Sequence, residues 1–177
     1  MKYTITTLSL IIVSSFVFMG GCISKLTTVN FDYTTEGSIE TLALSTTGPQ
    51  TFGETVVTSE LKSELEKNNT SLDLLDELNL KSATIAIQND STANFDAVEN
   101  IELHLYADNL PDVTIASKNP VSDGLNSINL DVNSTENLAA YIKSNSFSYK
   151  ITGTNSAPLS PMTLKTTVIW KIKASAK

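Results

Sequence analysis

Apolar and polar residues alternate along most of this chain. Val29, Phe31 and Tyr33 alternate with Asn30 and Asp32. Ala83, Ile85 and Ile87 alternate with Ser82, Thr84 and Gln88, and Ile101, Leu103 and Leu105 with Glu102, His104 and Tyr106. A shorter pair, Val113 and Ile115, follows Pro111. Ile128, Leu130 and Val132 alternate with Asn129 and Asp131; Phe147, Tyr149 and Ile151 with Ser148 and Lys150; and Leu164, Thr166, Val168, Trp170 and Ile172 with Lys165, Thr167, Lys171 and Lys173. A period of two places each apolar set on one face of a strand and leaves the other face to water. Half-buried strands of this kind suit antiparallel sheets.

The strands recur roughly every 8–20 residues with turn residues between them, which points to an all-β domain. The expected fold is mainly β: an antiparallel two-sheet β-sandwich, immunoglobulin-like or jelly-roll-like, with two or three short helices. Trp170 is expected in its core, and Lys165, Lys171 and Lys173 as solubility charges on the opposite face. Ser59 is positioned to cap a helix through Leu61 and Leu65. Ser71 is positioned to cap a second piece through Leu72, Leu75 and Leu78, and a third covers Thr135 to Lys143 with Leu138, Ala139 and Ile142 on one side. The stretch from Thr35 to Phe52 carries no clear period, and Gly48-Pro49 marks a turn in it.

The N-terminus follows a different rule. Lys2 precedes an apolar run through Leu8, Leu10, Ile11, Ile12, Val13, Phe16, Val17 and Phe18, and then comes Met19-Gly20-Gly21-Cys22. A cationic start, a short apolar core and small residues make a secretory signal peptide. The run is shorter than the roughly 20 residues of a transmembrane helix. The small residues before Cys22 resemble the lipobox of bacterial lipoproteins. The resemblance implies that the Cys22 sulfur receives diacylglycerol, that cleavage falls before it, and that the new amino terminus is acylated. The remainder resembles small uncharacterised β-sandwich lipoproteins of Gram-negative bacteria. This divides the chain into a signal peptide (1–21), a tether with the first strand (22–34) and one β-sandwich domain (35–177). Ile23 follows the cysteine, where an aspartate would imply inner-membrane retention, and no acidic residue lies in 23–28. By the same resemblance the domain is expected at the outer membrane, facing the periplasm.

Composition narrows the chemistry. The chain of 177 residues carries 19 Asp+Glu against 12 Lys+Arg, a net charge of −7. All the cations are lysine. An acidic chain without arginine is poorly suited to nucleic acid, whose phosphates and base edges are read by Arg and Lys. One His and one Cys do not make a zinc site of the Cys/His kind or an internal disulfide. Neither a cofactor nor a resident metal is expected.

Few residues are candidates for chemistry. His104 is the one imidazole available as a general base, and alternation turns it onto the solvent face. No serine lies in a Gly-x-Ser-x-Gly elbow. Asp73, Asp76 and Glu77 are spaced i, i+3, i+4 as on a solvated helical face, and Glu99 and Glu102 form another pair. The loop Asn89 to Asp96 offers oxygen ligands at alternate positions but departs from the calcium-loop pattern at Phe95 and Ile101. Within it, Asp90-Ser91-Thr92 resembles a short O-glycosylation signal of exported bacterial proteins. Tyr33, Tyr106 and Tyr141 are the rings available to stack on a sugar. The expected function is a non-enzymatic, lipid-anchored binding or assembly module, whose partners are the membrane through Cys22 and a protein or glycan. The alternatives are an envelope hydrolase in which two of Asp73, Asp76, Glu99, Glu102 and Asp108 converge, and a structural subunit of an envelope complex.

Overall fold

The computed structural model describes residues 27–88, 90, 92–132, 136–144 and 146–177. The signal peptide, Cys22, Ser91 and Thr135 lie outside the described residues. Eight strands follow in chain order: β1 (Thr28–Glu40), β2 (Gly48–Thr58), β3 (Leu75–Gln88), β4 (Val98–Tyr106), β5 (Val113–Lys118), β6 (Ser127–Val132), β7 (Ser146–Asn155) and β8 (Thr163–Ser175). Helix α1 (Leu61–Lys67) and a 3₁₀ turn, Leu72–Leu74, join β2 to β3, and the short α2 (Ala139–Ile142) precedes β7.

The mainly β, antiparallel expectation holds, and all seven strands read from alternation are present. The two-sheet sandwich is corrected. All eight strands form one sheet in the order β1-β8-β3-β6-β5-β4-β7-β2, curled into a half-barrel. The link that makes it continuous is short: among the described residues β5 meets β6 only at Ala116↔Val132 and Ser117↔Asp131. Alternation reports which face of a strand is buried, and a curled sheet buries its concave face as a sandwich buries its inner ones. The period therefore does not separate the two architectures.

Three local departures follow, two of them from bulges. β2 shows no clean alternation because a bulge between Thr51 and Gly53 breaks its period, so Phe52 and Val57 both turn inward although they are five apart. β3 begins at Leu75, where a helix was expected. Its bulges at Leu75/Glu77 and Leu80/Ser82 space the inward residues Leu75, Leu78, Leu80 and Ala83 by three at two places, which imitates a helical repeat. β1 continues to Glu40, past the expected boundary at residue 34. Its outward positions are polar throughout, and Thr35 and Gly37 stand where apolar residues would have marked the inner face.

The core lies in the concavity. Trp170, Tyr149, Phe147, Ile85, Leu103 and Val168 are all buried there, as expected for Trp170. Each such side chain stabilises the fold by about 1.5–3 kcal/mol. A buried polar chain crosses the interior: Trp170 Nε1 donates to Thr35 Oγ1 at 2.9 Å, and that oxygen lies 2.7 Å from the Tyr149 hydroxyl. Lys165 and Lys173 face outward as expected, each 2.7 Å from a carboxylate, Glu36 and Glu77.

Antiparallel alternation sorts the connections. The β1–β2, β3–β4, β5–β6 and β7–β8 loops gather at one end, tied by Leu44 to Leu159 and by Phe95 to Leu125. The start of β1, the end of β8, α1 and α2 gather at the other, where Ala176 N donates to Thr27 O and Lys177 N to Asn69 O.

Candidate functional site

The densest polar chemistry lies on the convex face of β2, β7, β4 and β5. Register places Glu54, Lys150, His104 and Thr114 in one row across these four strands, and Thr51, Thr152, Glu102 and Ser117 in the next. Each residue faces outward because its neighbours along the strand, such as Leu103, Leu105, Tyr149 and Ile151, fill the core.

His104 is the hub. Its Nδ1 lies 2.8 Å from Asp112 Oδ1 and 3.3 Å from Thr114 Oγ1, and its Nε2 lies 2.9 Å from Thr152 Oγ1 and 3.3 Å from Glu102 Oε2. An ionised carboxylate only accepts, so with one ring proton Nδ1–H donates to Asp112 and Nε2 accepts the Thr152 hydroxyl. A second proton turns Nε2 into a donor and sets the cation between two carboxylates. The expected solvated histidine is corrected: alternation aims His104 outward, but its partners leave the side chain only 15% exposed.

Asp112 brings the β4–β5 loop to this hub. It also pairs with Lys150, which lies 5.9 Å above the Tyr106 ring, and the Tyr106 hydroxyl donates to Glu54 at 3.0 Å. Burial pushes the Asp112 carboxyl up, but the hydrogen bonds from Lys150 and His104 outweigh it and hold the group below the usual carboxylate range. The hub thus fastens the loop to the sheet. Asp112–His104–Thr152 has the order of an acid–base–nucleophile relay. Thr152 sits mid-strand, paired with Thr51 on one side and Glu102 on the other, so the ladders take up the backbone N–H groups an oxyanion would need.

The remaining candidates are dispersed. Asp73 lies in the 3₁₀ turn, while Asp76 and Glu77 lie on β3, so the helical face expected of the three is absent. Glu77 is lowered by its hydrogen bond and charge pairing with Lys173, and Asp76 accepts from Ser175 at 3.3 Å. Glu99 and Glu102 are on β4 and Asp108 is in the loop after it. Among the described residues no hydrogen bond joins any two of Asp73, Asp76, Glu99, Glu102 and Asp108. In the β3–β4 loop, Asp90 Oδ1 accepts from Thr92 N, Thr92 Oγ1 and Ala93 N, and Asp96 Oδ1 accepts from Gly124 N at 2.5 Å. These carboxylates are engaged in shaping turns. Tyr33 is buried and its hydroxyl accepts from Glu60 N at 3.0 Å, so it offers no ring to a sugar. Tyr141 donates to Pro111 O at 2.9 Å.

Asp112, Lys150 and Thr152 were not singled out by sequence. Alternation gives their outward direction, but only strand order and register bring them to His104. No protein-family model matches the chain, and no curated protein matches it.

Proposed function

We propose that the chain is a lipid-anchored protein of the bacterial cell envelope that acts as a non-enzymatic binding or assembly module. The observation that carries this reading is the run Met19-Gly20-Gly21-Cys22 behind a cationic, apolar N-terminus. Acyl chains on Cys22 contribute about 0.8 kcal/mol per buried CH₂, and two chains make the attachment stable where one does not. From Cys22 to the start of β1 at Thr28 the chain spans at most about 20 Å when extended. The α1 and α2 end of the sheet would then lie near the bilayer, and the four-loop end would face away. The absence of an aspartate after Cys22 favours the outer membrane, on its periplasmic side. The self-paired state of the His104 hub and the dispersion of the acidic residues favour binding over hydrolysis.

The test is metabolic labelling with a palmitate analogue, followed by membrane fractionation, of the wild-type chain and of Cys22→Ala. Label and membrane association in the wild type, both lost in Cys22→Ala, are expected. An unlabelled wild-type chain that retains its initiator methionine would overturn the reading.

A further inference from the structure

The two edges of the sheet meet along only part of their length. Among the described residues β1 is hydrogen-bonded to β8 alone and β2 to β7 alone, so on the other side of each strand every second residue turns its N–H and C=O away from its ladder. Side-chain packing closes the middle of the seam. A Cβ on Gly37 would lie 2.9 Å from Thr55 Cγ2, and one on Gly53 would lie 2.5 Å from Ile39 Cγ2. Two glycines thus let the edges approach without a ladder between them. Towards the start of β1 the edges part. They leave a cleft of about 350 Å³ whose walls include Tyr33, Thr34, Glu36, Val57, Thr58 and Glu60.

We propose that this cleft receives an extended, lysine- or arginine-bearing peptide strand, which pairs through its backbone with the open edge of β1 or β2. The inference rests on the binding-module reading and deepens it by naming the site and the class of partner. Unpaired edge groups recur at strand spacing, and an extended backbone is the ligand that matches such a row; a helix has spent its own groups internally. Charge selects among strands. Glu36 and Glu60 border the cleft, Glu40 and Glu54 continue the same two edges, and no lysine is among the lining residues. Glu36 is paired with Lys165, whereas the Glu60 carboxylate makes no ion pair among the described residues. Charge also disfavours a second copy. Two β1 edges brought together would set Asp32, Glu36 and Glu40 against the same row, and like charges facing across strands are destabilising.

The test measures fluorescence anisotropy with the full chain in detergent micelles. The probes are a labelled octapeptide of alternating Lys and Val, its Glu/Val counterpart, and two Lys/Val versions N-methylated at every Lys or at every Val. In a strand, the amides of alternate residues point to opposite sides, so one methylated version blocks whichever side is engaged. Saturable binding of the Lys/Val peptide is expected, at least tenfold weaker for the Glu/Val peptide and for one methylated version. Glu60→Gln should weaken it about threefold or more without changing the thermal midpoint, and Glu36→Gln with Glu60→Gln about tenfold. Equal binding of the Glu/Val peptide, full affinity in both methylated versions, or no binding at all would overturn the proposal. Cys22→Ala should leave the peptide affinity unchanged. An unlipidated chain that binds therefore ends the tether reading alone, and a lipidated chain that does not bind ends this one alone.

Discussion

The indole N–H of Trp170 donates to the hydroxyl of Thr35, 2.9 Å away in the fully buried interior. Thr35 stands at an inward position on β1 where alternation would have placed an apolar residue, and the same oxygen lies 2.7 Å from the Tyr149 hydroxyl. Burial pushes the Tyr149 hydroxyl far above its ordinary pKa, so it remains neutral and able to donate. Thr35→Val keeps the shape and removes the shared oxygen. It should cost about 2–6 kcal/mol, because two buried polar groups lose a partner at about 1–3 kcal/mol each. Thr35→Ser keeps the hydroxyl and should cost only about 1 kcal/mol for the lost methyl. Urea unfolding of the two variants measures the difference, and equal losses would mean that the hydroxyl contributes nothing.

Gly153 and Gly124 separate two roles of glycine. A Cβ at Gly153, on β7, would collide with the backbone carbonyl of Asn100 and lie 3.1 Å from Phe52 Cζ. Backbone does not swing aside as a side-chain tip does, so Gly153→Ala should cost about 2–3 kcal/mol. Gly124 has a φ of +76° and nothing within 4 Å of a Cβ. Gly124→Ala should cost about 1 kcal/mol of backbone strain. The comparison is made by thermal unfolding, with the larger drop in midpoint expected for Gly153→Ala.

How much of this was legible follows from what breaks a period. β4, β7 and β8 alternate without interruption in their central parts and were readable residue by residue. β2 and the first half of β3 contain bulges, and each bulge shifts the inward set by one position, so Leu75 and Leu78 took on a helical spacing. Single-sheet closure was not legible, because it depends on the two residue pairs that join β5 to β6. The His104 hub was half legible. Its outward direction is a property of β4 alone, whereas Asp112 and Thr152 reach it through a loop and through the β4–β7 register.

Asp90 tests whether the β3–β4 loop is shaped from within. Its carboxylate is lowered by its hydrogen bonds to Thr92 and Ala93, which favour the charged form. Asp90→Ala should lower the thermal midpoint, and the drop should be the same in excess calcium and in chelator. A midpoint that rises with calcium in the wild type and not in Asp90→Ala would instead make this carboxylate a cation ligand.

Asp112 supplies a pH dependence whose sign is fixed. Its folded-state pKa lies below the unfolded value, so the folded chain holds the proton less readily than the unfolded chain. The stabilisation is fully present above the unfolded pKa, near 4, and is lost as pH falls through the folded value. Asp112→Asn removes the ionisable group while keeping a similar shape. At neutral pH it should be less stable than the wild type by under about 1 kcal/mol, because the side chain is 38% exposed and solvent screens its pairs with Lys150 and His104. Below pH 4 the wild type should lose stability more steeply than Asp112→Asn, and the two curves should approach each other. Urea midpoints measured across that range decide it: parallel curves would mean that Asp112 titrates alike in the folded and unfolded chains, and the hub would then have no electrostatic hold on the β4–β5 loop.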